Sequence, residues 1–336
     1  MLTKVFVSIS LGAAVLTGCG NDPNTGTPDA CVGHSCFIVD DPFPHATDPE
    51  GGQIIFEHMT FDTNLQGMFP LAGASTATRV MAYFMSAQTP ESNPLPMPNI
   101  CNNLEATKGW PLHVGAVHTD VDVGTLTLIG KNAAGAAVSF DVPRGTGPVD
   151  QIGRPHDIFY QLFQPTAADL LKPDSFYDVK FGGSAAVAAT TLQRALYLPA
   201  EYSSVQNPGL EDNGPLEAGV EFPVAWTVGN SANKPPDTEL ISNTILGVTW
   251  LLDVTGSPTH MCIAPAGAQA FTIAGTAITE YKTIAAARGQ RTDKLILLRS
   301  AIAHQLDRLP LTSATTGKRR IDMLSLECWA QLMDVR

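Results

Sequence analysis

The residues best placed to do chemistry together are His118, Asp120 and Asp122, which alternate with Val117, Thr119, Val121 and Val123. Alternation at period two puts all three on one face of a strand, each about 7 Å from the next. If the strand bends, an imidazole and two carboxylates converge on a cation, which suits metal-assisted hydrolysis. A flat strand splays alternate side chains too widely for tight coordination, so the plainer reading is the wet face of an amphipathic strand. His113 has the opposite parity and joins the group only through a bulge, for which Gly115 is the place.

Other candidates are more diffuse. His156-Asp157 follows the turn Gly153-Arg154-Pro155 and offers a second pair for a hydrolase, or a histidine that caps and packs. Glu57 and His58 are adjacent, so in a strand they face opposite ways and cannot act together directly. Asp212-Asn213-Gly214 supplies oxygens that calcium favours but lacks the spaced acids of a dedicated loop, and reads as a turn. Trp110, Phe159 and Tyr160 would make a sugar-stacking surface or serve as core. No nucleophile elbow, zinc-helix, phosphate-loop or dinucleotide pattern occurs, and no motif implies a cofactor.

Composition narrows the class. Charged residues are 15% of the chain, with 29 Gly and 25 Pro, which fits short strands joined by many turns. A net charge of -12 argues against nucleic acid, because phosphate contact needs clustered Lys and Arg. Lys318-Arg319-Arg320 is the one basic cluster, and it reads as a charged turn.

The elements that would carry these residues read as strands. Thr125–Leu128 and Ala137–Val142 alternate around Lys131–Gly135 as a hairpin, and Phe176–Phe181 alternates again before Gly182-Gly183. Ser203–Leu216 is rich in Asn, Pro and Gly and is the expected domain boundary. Val220, Phe222, Val224, Trp226 and Val228 then share one parity, with Pro223 placing the strand at an edge or bulge. Leu295, Leu298, Ile302, Leu306 and Leu309 fit a helix, while Leu295–Leu298 equally fits a buried strand. Leu324, Leu326, Cys328, Ala330 and Leu332 define a last strand that starts no earlier than Leu324 and points Cys328 inward.

The amino terminus supplies an address. Lys4, an apolar run from Val5 to Leu16, and Thr17-Gly18 lead into Cys19. A dozen mostly apolar residues suit a signal rather than a membrane span, which needs about twenty. Leu16-Thr17-Gly18-Cys19 resembles the lipobox of bacterial lipoproteins. The resemblance implies cleavage before Cys19, diacylation of its sulfur, palmitate included, and a lipid-anchored protein. Gly20 after the cysteine, by the sorting habit of enteric lipoproteins, implies the outer membrane.

Five cysteines remain for an oxidising compartment, and the odd count leaves one unpaired or linked between chains. Cys31 and Cys36 enclose Val-Gly-His-Ser and suit a small disulfide loop, being under-supplied as a zinc site. Cys262, flanked by apolar residues, is the partner that pattern favours for Cys328, although spacing never fixes connectivity.

Trp226, Cys262 and the Phe271-Thr272-Ile273 strand together resemble Ig-like β-sandwich modules of large surface lipoproteins from soil and predatory bacteria, myxobacteria among them. The expectation is therefore an all-β, mainly antiparallel protein of Ig-like sandwiches with little helix beyond the signal. Residues 1–18 are the signal, 19–50 a tether, and 51–205 and 206–336 two sandwich-like domains. The expected work is binding, adhesion or envelope structure, on the periplasmic or outer face of the outer membrane. Its partners are the membrane, through the lipid, and a protein or glycan. The alternative is a secreted, metal-assisted hydrolase.

Overall fold

The computed structural model describes residues 50–66, 75–87, 101–104, 118–145, 157–166, 171–200, 214–226, 232–235, 246–264, 268, 270–308, 312 and 320–336. The leader, Cys19, Cys31, Cys36, Trp110, His113, His156 and residues 206–213 lie outside them.

The described chain is mostly β. It runs β1 (Glu50–Phe61), the one-turn α1 (Thr63–Gln66), β2 (Thr76–Ala87), β3 (Cys101–Asn103), β4 (His118–Asp120), β5 (Leu126–Lys131), β6 (Ala137–Val142) and β7 (Arg144–Gly145). It continues through β8 (Phe159–Thr166), β9 (Ser175–Phe181), β10 (Thr190–Leu198), β11 (Phe222–Ala225), β12 (Leu246–Leu252), β13 (Pro258–Ile263) and β14 (Ala270–Ile273). Helix α2 (Gly275–Ala287), β15 (Lys294–Arg308) and β16 (Arg320–Asp334) complete it.

Ten strands form one sheet in the order β3-β13-β12-β15-β16-β1-β2-β8-β7, with β4 on the far end of β2. Four more form β10-β9-β5-β6, and β11 pairs with β14. The ladders are antiparallel except where β1 lies parallel to β16. The boundary expected near residue 206 does not separate two sheets, because β1, β2 and β8 share the large one with β12, β13, β15 and β16.

Parity explains the layers. On one face of the large sheet, Ile55, Met59, Met81, Trp250, Leu298 and Leu326 belong to a continuous apolar cluster. On the other face, Ile54, Phe56, Val80, Phe84 and Met323 meet Leu126, Leu128, Tyr177, Val179, Phe181 and Leu196 of the four-stranded sheet. That is a sandwich contact, two sheets burying alternate residues against each other. The same face further along is covered by α2 and the β11–β14 pair, through Ile278, Tyr281, Ala285, Phe222, Val224 and Trp226 against Leu251, Leu295 and Leu297.

Several sequence readings meet their reasons here. The segment read as helix or strand is strand β15 from Lys294 to Arg308: β12 and β16 pair with its two edges, and apolar clusters bury Ile296, Leu298 and Ile302 on one face and Leu295, Leu297 and Ala301 on the other. β16 starts at Arg320 rather than Leu324, and Ser325, Glu327 and Gln331 are buried as well, because β16 is a central strand covered on both faces. The β11 alternation holds from Phe222 to Trp226, whereas Val220 is exposed. Helix α2, absent from the sequence reading, buries Ile278, Tyr281 and Ala285 at helical spacing. It ends in a Schellman motif, with Gly289 at φ 67° donating to Ala286 O and Gln290 donating to Ala285 O.

Candidate functional site

His118 and Asp120 lie in β4, opposite Ala87 and Met85 of β2, and Asp122 follows in the connection to β5. Asp120 Oδ2 accepts the Ile158 N–H at 3.0 Å. Asp122 Oδ1 accepts from the Tyr160 hydroxyl at 2.9 Å and the Gly124 N–H at 2.8 Å, and its Oδ2 takes Arg144 Nη1 at 2.7 Å. Ser184 Oγ donates to the Asp122 carbonyl. Asp120 thus takes a donor from the residue before β8, while Asp122 draws donors from β7, β8 and its own turn and fastens three segments together. Burial, with the Asp122 charge beside it, pushes the Tyr160 phenol up, so it remains a donor. Among the described residues no three His, Cys, Asp or Glu side chains gather as metal ligands.

Phe159 and Tyr160, a suggested stacking pair, belong to opposite faces of the large sheet and are both buried. Asp157 is exposed at the entry to β8.

The densest buried polar chemistry lies on the central strands. Glu57 pairs with Arg79 directly across the β1–β2 ladder, both nearly solvent-free. Cys328 of β16 and Ser300 of β15 also sit directly opposite one another, with Sγ and Oγ 3.3 Å apart. Burial pushes the Cys328 thiol up, and the nearby Glu57 charge pushes it further. The thiol is therefore protonated at neutral pH and a poor nucleophile. Among the described residues Glu57 Oε1 and Arg79 Nη2 have no hydrogen-bond partner, a cost the pair carries inside the core.

His58 points the other way, as adjacent strand residues must. Its Nδ1 lies 2.9 and 2.8 Å from the two carboxylate oxygens of Glu327, its parallel partner on β16, with both side chains about fully buried. Glu57 and His58 are thus back to back, each serving a different layer. Arg79 and Glu327 were missed in the sequence because each stands in a strand-like run where a charge reads as solvent-facing.

A third group joins β3, β13 and α2. His260 is fully buried, and its Nε2 lies 3.2 Å from Glu280 Oε2 while its Nδ1 lies 3.1 Å from Thr259 Oγ1. Asn103 Nδ2 donates to the same Glu280 oxygen at 2.7 Å. Burial holds His260 below its ordinary value, and the Asn103 hydrogen bond holds the Glu280 carboxyl below its own. Beside this group Cys101 is joined to Cys262.

That bond corrects the expected Cys262–Cys328 pairing. Cys262 packs on the face covered by α2, whereas Cys328 belongs to the opposite face and is a free, buried thiol. Two cysteines on opposite faces of one sheet cannot bring their sulfurs together.

The molecule so defined is a mostly β protein of layered, chiefly antiparallel sheets with polar pairs locked between the layers. No known protein family matches the chain, nor does any curated protein or solved structure.

Proposed function

We propose that this chain is a lipid-anchored envelope protein whose β-built body binds a protein or glycan partner or serves as envelope structure. The observation that carries the reading is the Leu16-Thr17-Gly18-Cys19 tetrad behind its apolar run. The Cys101–Cys262 disulfide supports export, since such bonds persist in oxidising compartments. The polar groups described above support binding or structure over catalysis. Asp120, Asp122, Glu57 and Glu327 are each engaged by donors within the protein, and the one free thiol among the described residues is buried and protonated.

The test is fractionation of cells making the wild type and Cys19→Ser. The wild type should sediment with outer membranes carrying an acylated amino-terminal cysteine by mass spectrometry, and the variant should not. An unacylated terminus on the mature wild type would remove the anchor. For the binding half, the Cys19→Ser chain should be retained saturably on isolated cell envelopes, and absence of retention would count against it.

A further inference from the structure

We propose that the Cys101–Cys262 disulfide is a redox-operated latch, and that a dithiol reductant opening it releases the β3 edge strand from β13 while the rest of the large sheet stays paired. β3 is three residues long and ends the sheet, with β13 its one neighbour among the described strands. Pairing there covers Cys101, Asn102 and Asn103 against Cys262, Met261 and His260. Short edge pairings lie at the low end of local stability, and here a covalent bond between directly opposed residues ties the edge to β13. By contrast β12, β15, β16 and β1 each have a strand on both sides.

Access favours the same conclusion. Cys262 is buried, but Cys101 on the terminal strand is partly exposed, so a reductant reaches the bond from the β3 side. A thiolate of the dithiol attacks Cys101 Sγ, forming a mixed disulfide and expelling Cys262 as thiolate. The second thiol then displaces Cys101, so the reductant leaves as its own disulfide, and two electrons and two protons end on Cys101 and Cys262. Cys328, on the opposite face from Cys262, cannot intercept the exchange.

What the latch keeps in place is the buried histidine. Asn103 shares parity with Cys101, lies opposite His260 in the register and donates to the Glu280 oxygen that His260 also meets. Among the described residues, Glu280 and Arg288 are the charged groups facing His260. Release of β3 takes the Asn103 donor from Glu280, lets water reach His260 and leaves the backbone edge of β13 unpaired. Asn102 Nδ2 to the Met261 carbonyl and the Leu104 N–H to the Thr259 carbonyl are the bonds that guide re-docking on oxidation.

The test compares hydrogen exchange, read by mass spectrometry, in the full chain carrying Cys19→Ser, oxidised and after dithiothreitol. The amides of Asn102 to Leu104 should exchange at least ~10-fold faster after reduction, with β15 and β16 unchanged and reoxidation restoring the original rates. The His260 ring should at the same time titrate closer to its ordinary 6.5. Cys101→Ser should reproduce the reduced pattern; if that variant does not accumulate, reduction of the folded protein gives the same reading. Failure of the dithiol to open the bond in the folded chain overturns the latch. So does unchanged exchange at Asn102 to Leu104, or faster exchange across β15 and β16 alike.

Discussion

At the scale of single residues the buried Glu57–Arg79 pair decides most. Removing one member leaves the other charged, desolvated and alone, which typically costs about 3–5 kcal/mol, whereas replacing both with apolar groups is often neutral. Glu57→Gln and Arg79→Met are therefore each expected to lower the urea midpoint sharply, while Glu57→Leu with Arg79→Met recovers most of the loss. A double variant as unstable as the sum of the singles would show that the pair is not acting as a unit. His260 supplies a pH dependence. Its folded value lies below 6.5, so the unfolded chain takes the proton more readily. Its contribution is complete above that value and shrinks as pH falls through it towards the folded one. The lowered Glu280 carboxyl acts further down, its contribution being lost as pH falls below 4.5. Unfolding midpoints taken between about pH 7.5 and 5 should therefore fall more in the wild type than in His260→Gln. Equal slopes would contradict this assignment.

At the scale of elements, close approaches fix which strands meet. At Gly130 in β5 a side chain would meet the Tyr177 ring at 2.2 Å, so the aromatic ring of β9 lies directly on bare backbone. The Tyr177 hydroxyl then reaches across to donate to the Lys131 carbonyl at 2.8 Å. Gly130→Ala is expected to cost about 1–3 kcal/mol by overpacking, against little change for Gly145→Ala, at an open position on the edge strand β7. Thermal melts of the two variants compare them directly. The bulge in β10 works by a different device. Arg194 sits at φ 53° with its N–H donated to Asp178 Oδ1 and its guanidinium 3.7 Å over the Phe176 ring, contacts that offset the left-handed backbone.

At the scale of the whole molecule the parallel β1–β16 junction dominates. It joins the first described strand to the last, and an apolar cluster lies against each of its faces, the four-stranded sheet supplying one of them. Eleven register pairs from Gly51–Arg320 to Phe61–Ala330 make it a long seam rather than a contact between separate bodies. A single cooperative thermal transition is expected, with near-ultraviolet and far-ultraviolet signals coinciding. Two resolved transitions would mean that the halves on either side of residue 206 melt independently. The same seam predicts that a chain cut before β15 loses the neighbour of β1 and cannot hold the sandwich.

Much of this was legible in the residues alone. Period-two alternation in Phe176–Phe181, Phe222–Trp226 and Ala137–Val142 is a local property, because a pleated backbone sends successive side chains to opposite faces. It gave the β class, the β5–β6 hairpin and the opposed directions of Glu57 and His58. What alternation cannot tell is what lies against each face. Leu295–Leu309 carries helical spacing while Leu295–Leu298 equally fits a strand, and only pairing with β12 and β16 made Lys294–Arg308 into β15. Ser325 and Glu327 read as wet because a polar residue normally faces water; a second layer over β16 buried them and paired Glu327 with His58. Pattern pointed Cys262 to Cys328 for the same reason, since its true partner Cys101 is 161 residues away and reaches it only when β3 closes the edge of the sheet. Local stereochemistry is written in the order of residues, but which strands become neighbours depends on long-range burial, and that is decided only when the layers assemble.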